Sequence, residues 1–398
     1  MICRKVLKNG MTIIFKERKN KVVCIAFAVR HGGRNEFSKD KGISHFIEHM
    51  LYKGTMTRNS KQISMEIEKN GGELNGFTSE QLTAFWCKMP SKHLNVALNV
   101  LTDMVKNPLF DSMEIEKERQ VIFEEMKLYK DNPSMYVMDK IKSLLYKGDF
   151  SIPIIGTKES MNSNTREKMI NFFKKIYVPE NIILCVVGDA NFFEICDFIE
   201  KNFKKSKNKA RIDFPKIILQ NGEEIEKRKG IDQANLVFAY HSPLPDENNF
   251  YAAHVLNILM SGGMSSRLFS EIREKRNLAY AVKGFIESEG DFSYSGVYVG
   301  TTPDKILEVK RLILEEFKKV HKELNEKELG DVKEQIIGNY LISQEDSFNV
   351  LAMLLTQEIR GDVREIEKYI DKIKLVELND VKKLANIKKY SFFALIPE

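Results

Sequence analysis

The stretch GISHFIEHMLYKGT, residues 42–55, places two of the chain's seven histidines, His45 and His49, four residues apart with Glu48 between them. At 100° per residue, His45, Glu48, His49 and Tyr52 fall on one side of a helix, and Ile43, Phe46, Ile47, Met50 and Leu51 on the other. The apolar stripe is a sufficient packing face, which leaves the two histidines off it. Imidazoles one turn apart can reach one Zn²⁺, and an open catalytic zinc site adds one more protein ligand and a water. The pattern HxxEH arises by chance in roughly one chain of this composition in a hundred, so it calls for a third ligand.

The segment DSMEIEKERQVIFEEMKLYKDNP, residues 111–133, supplies candidates. Asp111 and Glu114 are spaced as a capping box, and the helix they open ends before Pro133. Glu118 and Glu125 are seven apart, on the stripe of Val121, Ile122 and Tyr129, whereas Glu124 shares a face with Lys117, Gln120 and Lys127. A buried carboxylate without a partner is costly, so Glu125 is expected to meet the metal and Glu118 a histidine or a basic group. Glu48, though on the same side, cannot share the exact direction of the two histidines. Its expected task is to take a proton from a water whose pKa zinc brings to about 7, which is metal-assisted hydrolysis.

Outward from this motif the elements alternate. MTIIFK and VVCIAFAVR read as a hairpin before it, SKQISMEIEKNGG as a helix after it, and ELNGFTSEQLTAFWCKMP as paired strands ending at Pro90. Helical periodicity returns in SKHLNVALNVLTDMVKNP, and NIILCVVG is a buried-looking strand. In residues 204–230 charge rises and periodicity fades, so the expected division is residues 1–203, a linker over 204–230, and 231–398. The second part repeats the order of the first: strand ANLVFAYHSP, helix NNFYAAHVLNILM, strands AYAVKGFIES and SYSGVYVGT, two long helices, and a last strand YSFFALIP. Strands mixed with long helices define an α+β fold.

Composition narrows the function classes. The net charge of +6 comes from 62 basic and 56 acidic residues spread along all 398 positions, with no basic stripe for nucleic acid. The start lacks a signal-peptide h-region, and no later stretch approaches the roughly 18 apolar residues of a membrane span, so a cytoplasmic protein without a membrane partner is expected. Five cysteines with no CxxC pair read as buried thiols.

These residues resemble the inverted-zincin metallopeptidases, the pitrilysin and insulin-degrading-enzyme family that includes mitochondrial processing peptidase. The likeness runs from the first hairpin to the last strand, and Glu125 lies 76 residues beyond His49, where the family's third ligand is expected. It implies two homologous domains, each an antiparallel-rich sheet packed with helices, related by a pseudo-two-fold, in the bacterial half-length form. It implies one Zn²⁺ per chain on His45, His49 and Glu125, with Glu48 as general base and Glu118 as a second acid of the catalytic group. GGELNGFTSEQLTAFW resembles the family's edge strand, so Asn75 and Phe77 are expected at the substrate, and SSRLFSEIREKRNLAYAV carries the counterparts of an Arg and Tyr pair, Arg273 and Tyr280. The implied activity is zinc-dependent endopeptidase cleavage of peptides or presequence-like segments within an enclosed chamber, built by a homodimer. The alternative is a non-catalytic peptide-binding or structural subunit of the same fold.

Overall fold

A computed structural model describes residues 2–398. Along the chain the strands are β1 (Ile2–Val6), β2 (Thr12–Glu17), β3 (Val22–Val29), β4 (Glu73–Thr78), β5 (Thr83–Pro90), β6 (Tyr146–Lys147), β7 (Ile182–Gly188), β8 (Ile218–Leu219), β9 (Glu223–Arg228), β10 (Ala234–His241), β11 (Ala279–Glu289), β12 (Phe292–Thr301) and β13 (Ser391–Pro397). The first helices are α1 (Ile43–Leu51), α2 (Ser60–Glu68), α3 (Leu94–Lys106), α4 (Ser112–Asp131) and α5 (Pro133–Leu145). Local chemistry sets many of their ends. Asn59 and Gln62 form a capping box on α2, and Asn132 caps α5, whose first residue is Pro133.

The chain forms two compact units. The first comprises the residues up to Met126, Ile152–Lys216 and Ser343–Ile366; the second comprises Lys127–Ser151, Ile217–Ile342 and Glu367–Glu398. Each is α+β. The first unit's sheet has the order β1-β2-β7-β3-β5-β4, with β2 and β7 parallel and the other neighbours antiparallel, so β2 and β3, expected to pair as a hairpin, are separated by β7. The second unit's sheet has the order β11-β12-β10-β13-β9, with β9 and β13 parallel and the rest antiparallel. Apart from β1, the two sheets have the same wiring: β2, β7, β3, β5 and β4 correspond to β9, β13, β10, β12 and β11. The stretch 204–230 thus contributes β9, an outer strand, to the second sheet.

Burial on both faces explains the apolar runs of β3 and β7, whose residues are almost all buried. In the first unit Val23, Ile25 and Phe27 of β3 pack with α1, α2 and α3, while Cys24, Ala26 and Ala28 face the other way onto Val350, Leu351, Leu354 and Leu355. Those four lie on a helix, Ser347–Arg360, from far along the chain. In the second unit α5 plays the corresponding part, packing Val137 and Ile141 against Val237, Ala239 and Phe393. Each sheet is therefore closed by a helix drawn from the opposite half of the sequence.

The closing helix of the first unit is pinned by charge. Glu358 is buried and accepts from Arg4 Nε and Nη2 at 2.9 Å each and from Arg30 Nη2 at 2.5 Å. All five cysteines are free, and only Cys3 is not fully buried. No helix among the described residues is long and apolar enough to cross a membrane.

Candidate metal centre

The helix α1 is held at its N-terminus by a carboxyl group. Glu36 is buried, and its two carboxylate oxygens accept from Gly42 N and Ser44 N at 2.8 Å each, satisfying N–H groups that the first turn leaves open. Gly42 has φ +86°, and a Cβ there would lie 2.6 Å from Ile155 O and closer still to Met161. Only glycine lets the chain enter α1 along this path. Ile43, Phe46, Ile47, Met50 and Leu51 are buried in the core, so the amphipathic phase read from the sequence is the one realised.

On the remaining side the rings of His45 and His49 lie 4.6 Å apart between centroids. Glu125 of α4 reaches both: its Oε2 is 3.7 Å from His45 Nε2 and 3.6 Å from His49 Nε2. Among the described residues these three form a group whose donor atoms all lie within 4.8 Å of one another. Ligands about 2.1 Å from a tetrahedral Zn²⁺ stand about 3.4 Å apart, so two histidines and a carboxylate at these separations fit that ion by distance and by chemistry.

Glu118, one helical heptad before Glu125, accepts from His49 Nδ1 at 3.1 Å and from Lys53 Nζ at 2.5 Å. An ionised carboxylate only accepts, so His49 carries its proton on Nδ1 and turns Nε2 toward Glu125. On α4 the phase argument holds for both acids, while Val121, expected on the same stripe, is 48% exposed and lies at its solvent edge. Ile122 is buried, so the stripe is narrower than the sequence suggests.

Burial sets the electrostatics. It pushes His45 down to about 3, helped by the charge of His49, so this ring is neutral at pH 7 as a ligand must be. Burial also pulls His49 down, but its hydrogen bond to Glu118 and the charges of Glu48 and Glu125 outweigh it and raise its pKa. Burial raises Glu118 as well, yet its bonds to His49 and Lys53 win and hold it below the usual carboxylate range. Glu125 and Glu48 are raised, chiefly by burial. Three carboxylates around two imidazoles make a site that a divalent cation would complete.

Glu48 is 9% exposed, and its Oε2 accepts from Thr78 Oγ1 at 3.0 Å. Thr78 ends β4, the outermost strand of its sheet. Gly76 on the same strand lies against α1: a Cβ there would be 2.6 Å from Tyr52 Oη and 3.0 Å from Glu48 Oε1. By strand alternation Asn75 and Phe77 point to the opposite face. Phe77 packs with the cluster under helix Ser347–Arg360, and Asn75 is exposed, its Oδ1 accepting from Gly76 N at 2.8 Å. Of the residues expected on this strand, only the backbone is on the histidines' side.

Arg273 and Tyr280 are brought together in the second unit. Arg273 Nη1 donates to Tyr280 O at 3.0 Å and stacks on Phe269, within a π-helical turn, Phe269–Glu274. Tyr280 is exposed and its ring covers Gly300. Sequence reasoning placed Tyr52 on the histidine side without giving it a role, and missed Lys53, Gly76 and Thr78. Lys53 stands four residues after His49, a spacing that could have marked it; Gly76 and Thr78 become visible only once β4 is laid against α1.

The chain is thus an α+β protein of two similarly wired sheets, one of which carries a His-His-Glu group with a neighbouring carboxylate. Residues 12–158 match the family model described as insulinase (peptidase family M16), and residues 163–336 match the one described as peptidase M16 inactive domain. An uncharacterized zinc protease of Rickettsia felis is 32% identical over 375 residues, covering 94% of this chain and 90% of that protein. The uncharacterized zinc protease YmxG of Bacillus subtilis is 31% identical over 393 residues, covering 97% and 95%. Among solved structures, a protease from Helicobacter pylori superposes with a TM-score of 0.92 at 22% identity over 100% of this chain and 99% of that one. The chain belongs to peptidase family M16, in the half-length form of these relatives.

Proposed function

We propose that the protein is a zinc-dependent endopeptidase, with one Zn²⁺ per chain held by His45, His49 and Glu125. The observation that carries this is the convergence of three donor atoms, from helices more than 60 residues apart in sequence, on one point beside a buried, oriented carboxylate. Bound zinc would supply Lewis acidity toward a peptide carbonyl and toward the attacking water. Glu48 takes the proton from that water and passes it to the leaving amine; its raised pKa brings a carboxylate toward the range useful at neutral pH. Glu118 orients His49 and is itself held by Lys53. The free edge of β4 offers backbone groups on which an extended peptide can pair, with Asn75 and Phe77 on the strand that receives it. Arg273 and Tyr280 would contact the substrate and support charge on the carbonyl oxygen. A homodimer in the cytoplasm, enclosing its peptide in a chamber, completes the reading.

The test is Glu48→Gln. Removing a general base costs about 10²- to 10⁴-fold in kcat, so the variant should retain one zinc per chain by metal analysis and lose cleavage of an unstructured peptide to that extent. Undiminished cleavage would overturn the assignment. A metal-free, inactive protein that binds peptides tightly would instead be a non-catalytic subunit of this fold.

A further inference from the structure

We infer that Thr78 is a positioning residue for Glu48: its hydroxyl pins one carboxylate oxygen and leaves the other to take the proton. The inference rests on the peptidase reading above and adds a residue to it. The bond is specific in its geometry. Thr78 Oγ1 is 3.0 Å from Glu48 Oε2, while Oε1 lies on the side of Gly76, where the missing side chain leaves room that a Cβ would close to 3.0 Å. Thr78 and Gly76 are alternate residues of the same strand and so face the same way, toward α1. The carboxylate is thus fixed from the strand on which a peptide would lie.

The second unit shows what the same scaffold does when the acid is absent. Gly284 on β11 occupies the position of Gly76 on β4: a Cβ there would be 2.9 Å from Asn257 Oδ1 and closer to Ser261 Oγ, as one at Gly76 would meet Glu48 and Tyr52. Both glycines are followed by phenylalanine, Phe77 and Phe285. Two residues beyond Gly284 stands Ile286, in the place of Thr78. There Asn257 turns its amide to the backbone, donating to Phe285 O at 3.0 Å and to Gly296 O at 3.4 Å. The strand hydroxyl is present where the helix offers a carboxylate and absent where it offers an amide that serves itself.

The test compares Thr78→Val, which keeps the shape and removes the donor, with Thr78→Ser, which keeps the donor. In the zinc-loaded protein, Thr78→Val should lower kcat on an unstructured peptide about tenfold, the size of one lost hydrogen bond, with KM and zinc content unchanged, and Thr78→Ser should restore most of it. Crystal structures of both variants give a readout independent of turnover: the Glu48 carboxylate should be displaced in Thr78→Val and seated as here in Thr78→Ser. An unmoved Glu48 in Thr78→Val, or a loss carried entirely by KM or by zinc content, would overturn the inference. A wild-type protein that hydrolyses no peptide while its Glu48 still moves in Thr78→Val would overturn the peptidase reading and leave the positioning of Glu48 standing.

Discussion

The two units share a sheet plan and differ in chemistry, and the differences fall at a few matched positions. Taking β3–α1 against β10 and helix Phe250–Ser261, with Gly76 and Gly284 in register, His45, Glu48 and His49 correspond to His254, Asn257 and Ile258. Helix α4 corresponds to Glu326–Ser343: Asp111 accepts from Glu114 N as Asn325 accepts from Glu328 N, and Ile115 and Ile122 are buried as Leu329 and Ile336 are. In that register Glu118 and Glu125 become Val332 and Asn339. The first histidine persists, while the counterparts of His49, Glu125, Glu48 and Glu118 are all different residues. One scaffold can therefore be kept by its glycine notch and apolar stripe while the His-His-Glu group and its neighbouring carboxylates are present or absent.

Removing from the first unit the groups that the second lacks should break the proposed site in graded steps. His49→Ile removes a ligand and should abolish both zinc retention on dialysis and peptide cleavage; a fully zinc-loaded variant would show that the metal sits elsewhere. Glu118→Gln leaves all three ligands but weakens the hold on His49, with an expected loss of about 10- to 100-fold in zinc affinity, measured by competition with a chelator. Equal affinity in wild type and variant would make Glu118 a bystander.

The closing helices test a different contrast, since the one in the first unit is pinned by buried charge. Burial raises the pKa of Glu358, but the bonds from Arg4 and Arg30 outweigh it and the net shift is downward from 4.5. A carboxylate depressed in the folded state stabilises fully above its unfolded pKa and loses that contribution as pH falls through the folded value. Glu358→Gln should therefore cost about 3 kcal/mol at pH 7 by urea unfolding, and the gap from wild type should narrow below about pH 4. A gap independent of pH would assign the loss to packing.

The smallest expected effect distinguishes the two notches. Gly284→Ala and Gly76→Ala each force a Cβ into occupied space, at a cost of about 1–3 kcal/mol, read by thermal unfolding. Zinc content should be unchanged in Gly284→Ala, whereas Gly76→Ala should also reduce cleavage because the intruding methyl meets Glu48 and Tyr52. Similar unfolding with undiminished cleavage in Gly76→Ala would remove the notch from the catalytic argument.

Much of this is legible in the sequence, for a local reason. Helix phase is a property of neighbouring residues, so His45 and His49 could be set on one face and Glu118 and Glu125 on another from spacing alone, and the alternating or continuous apolar runs marked the strands. What lay beyond reach depends on contacts between distant segments. That Thr78 rather than Asn75 meets Glu48 follows from which face of β4 lies on α1, and a register shift of one residue would reverse it. That helix Ser347–Arg360 closes the first sheet and α5 the second follows from packing that no local period encodes. Periodicity says which side of an element is apolar; only the assembled fold says what that side will touch.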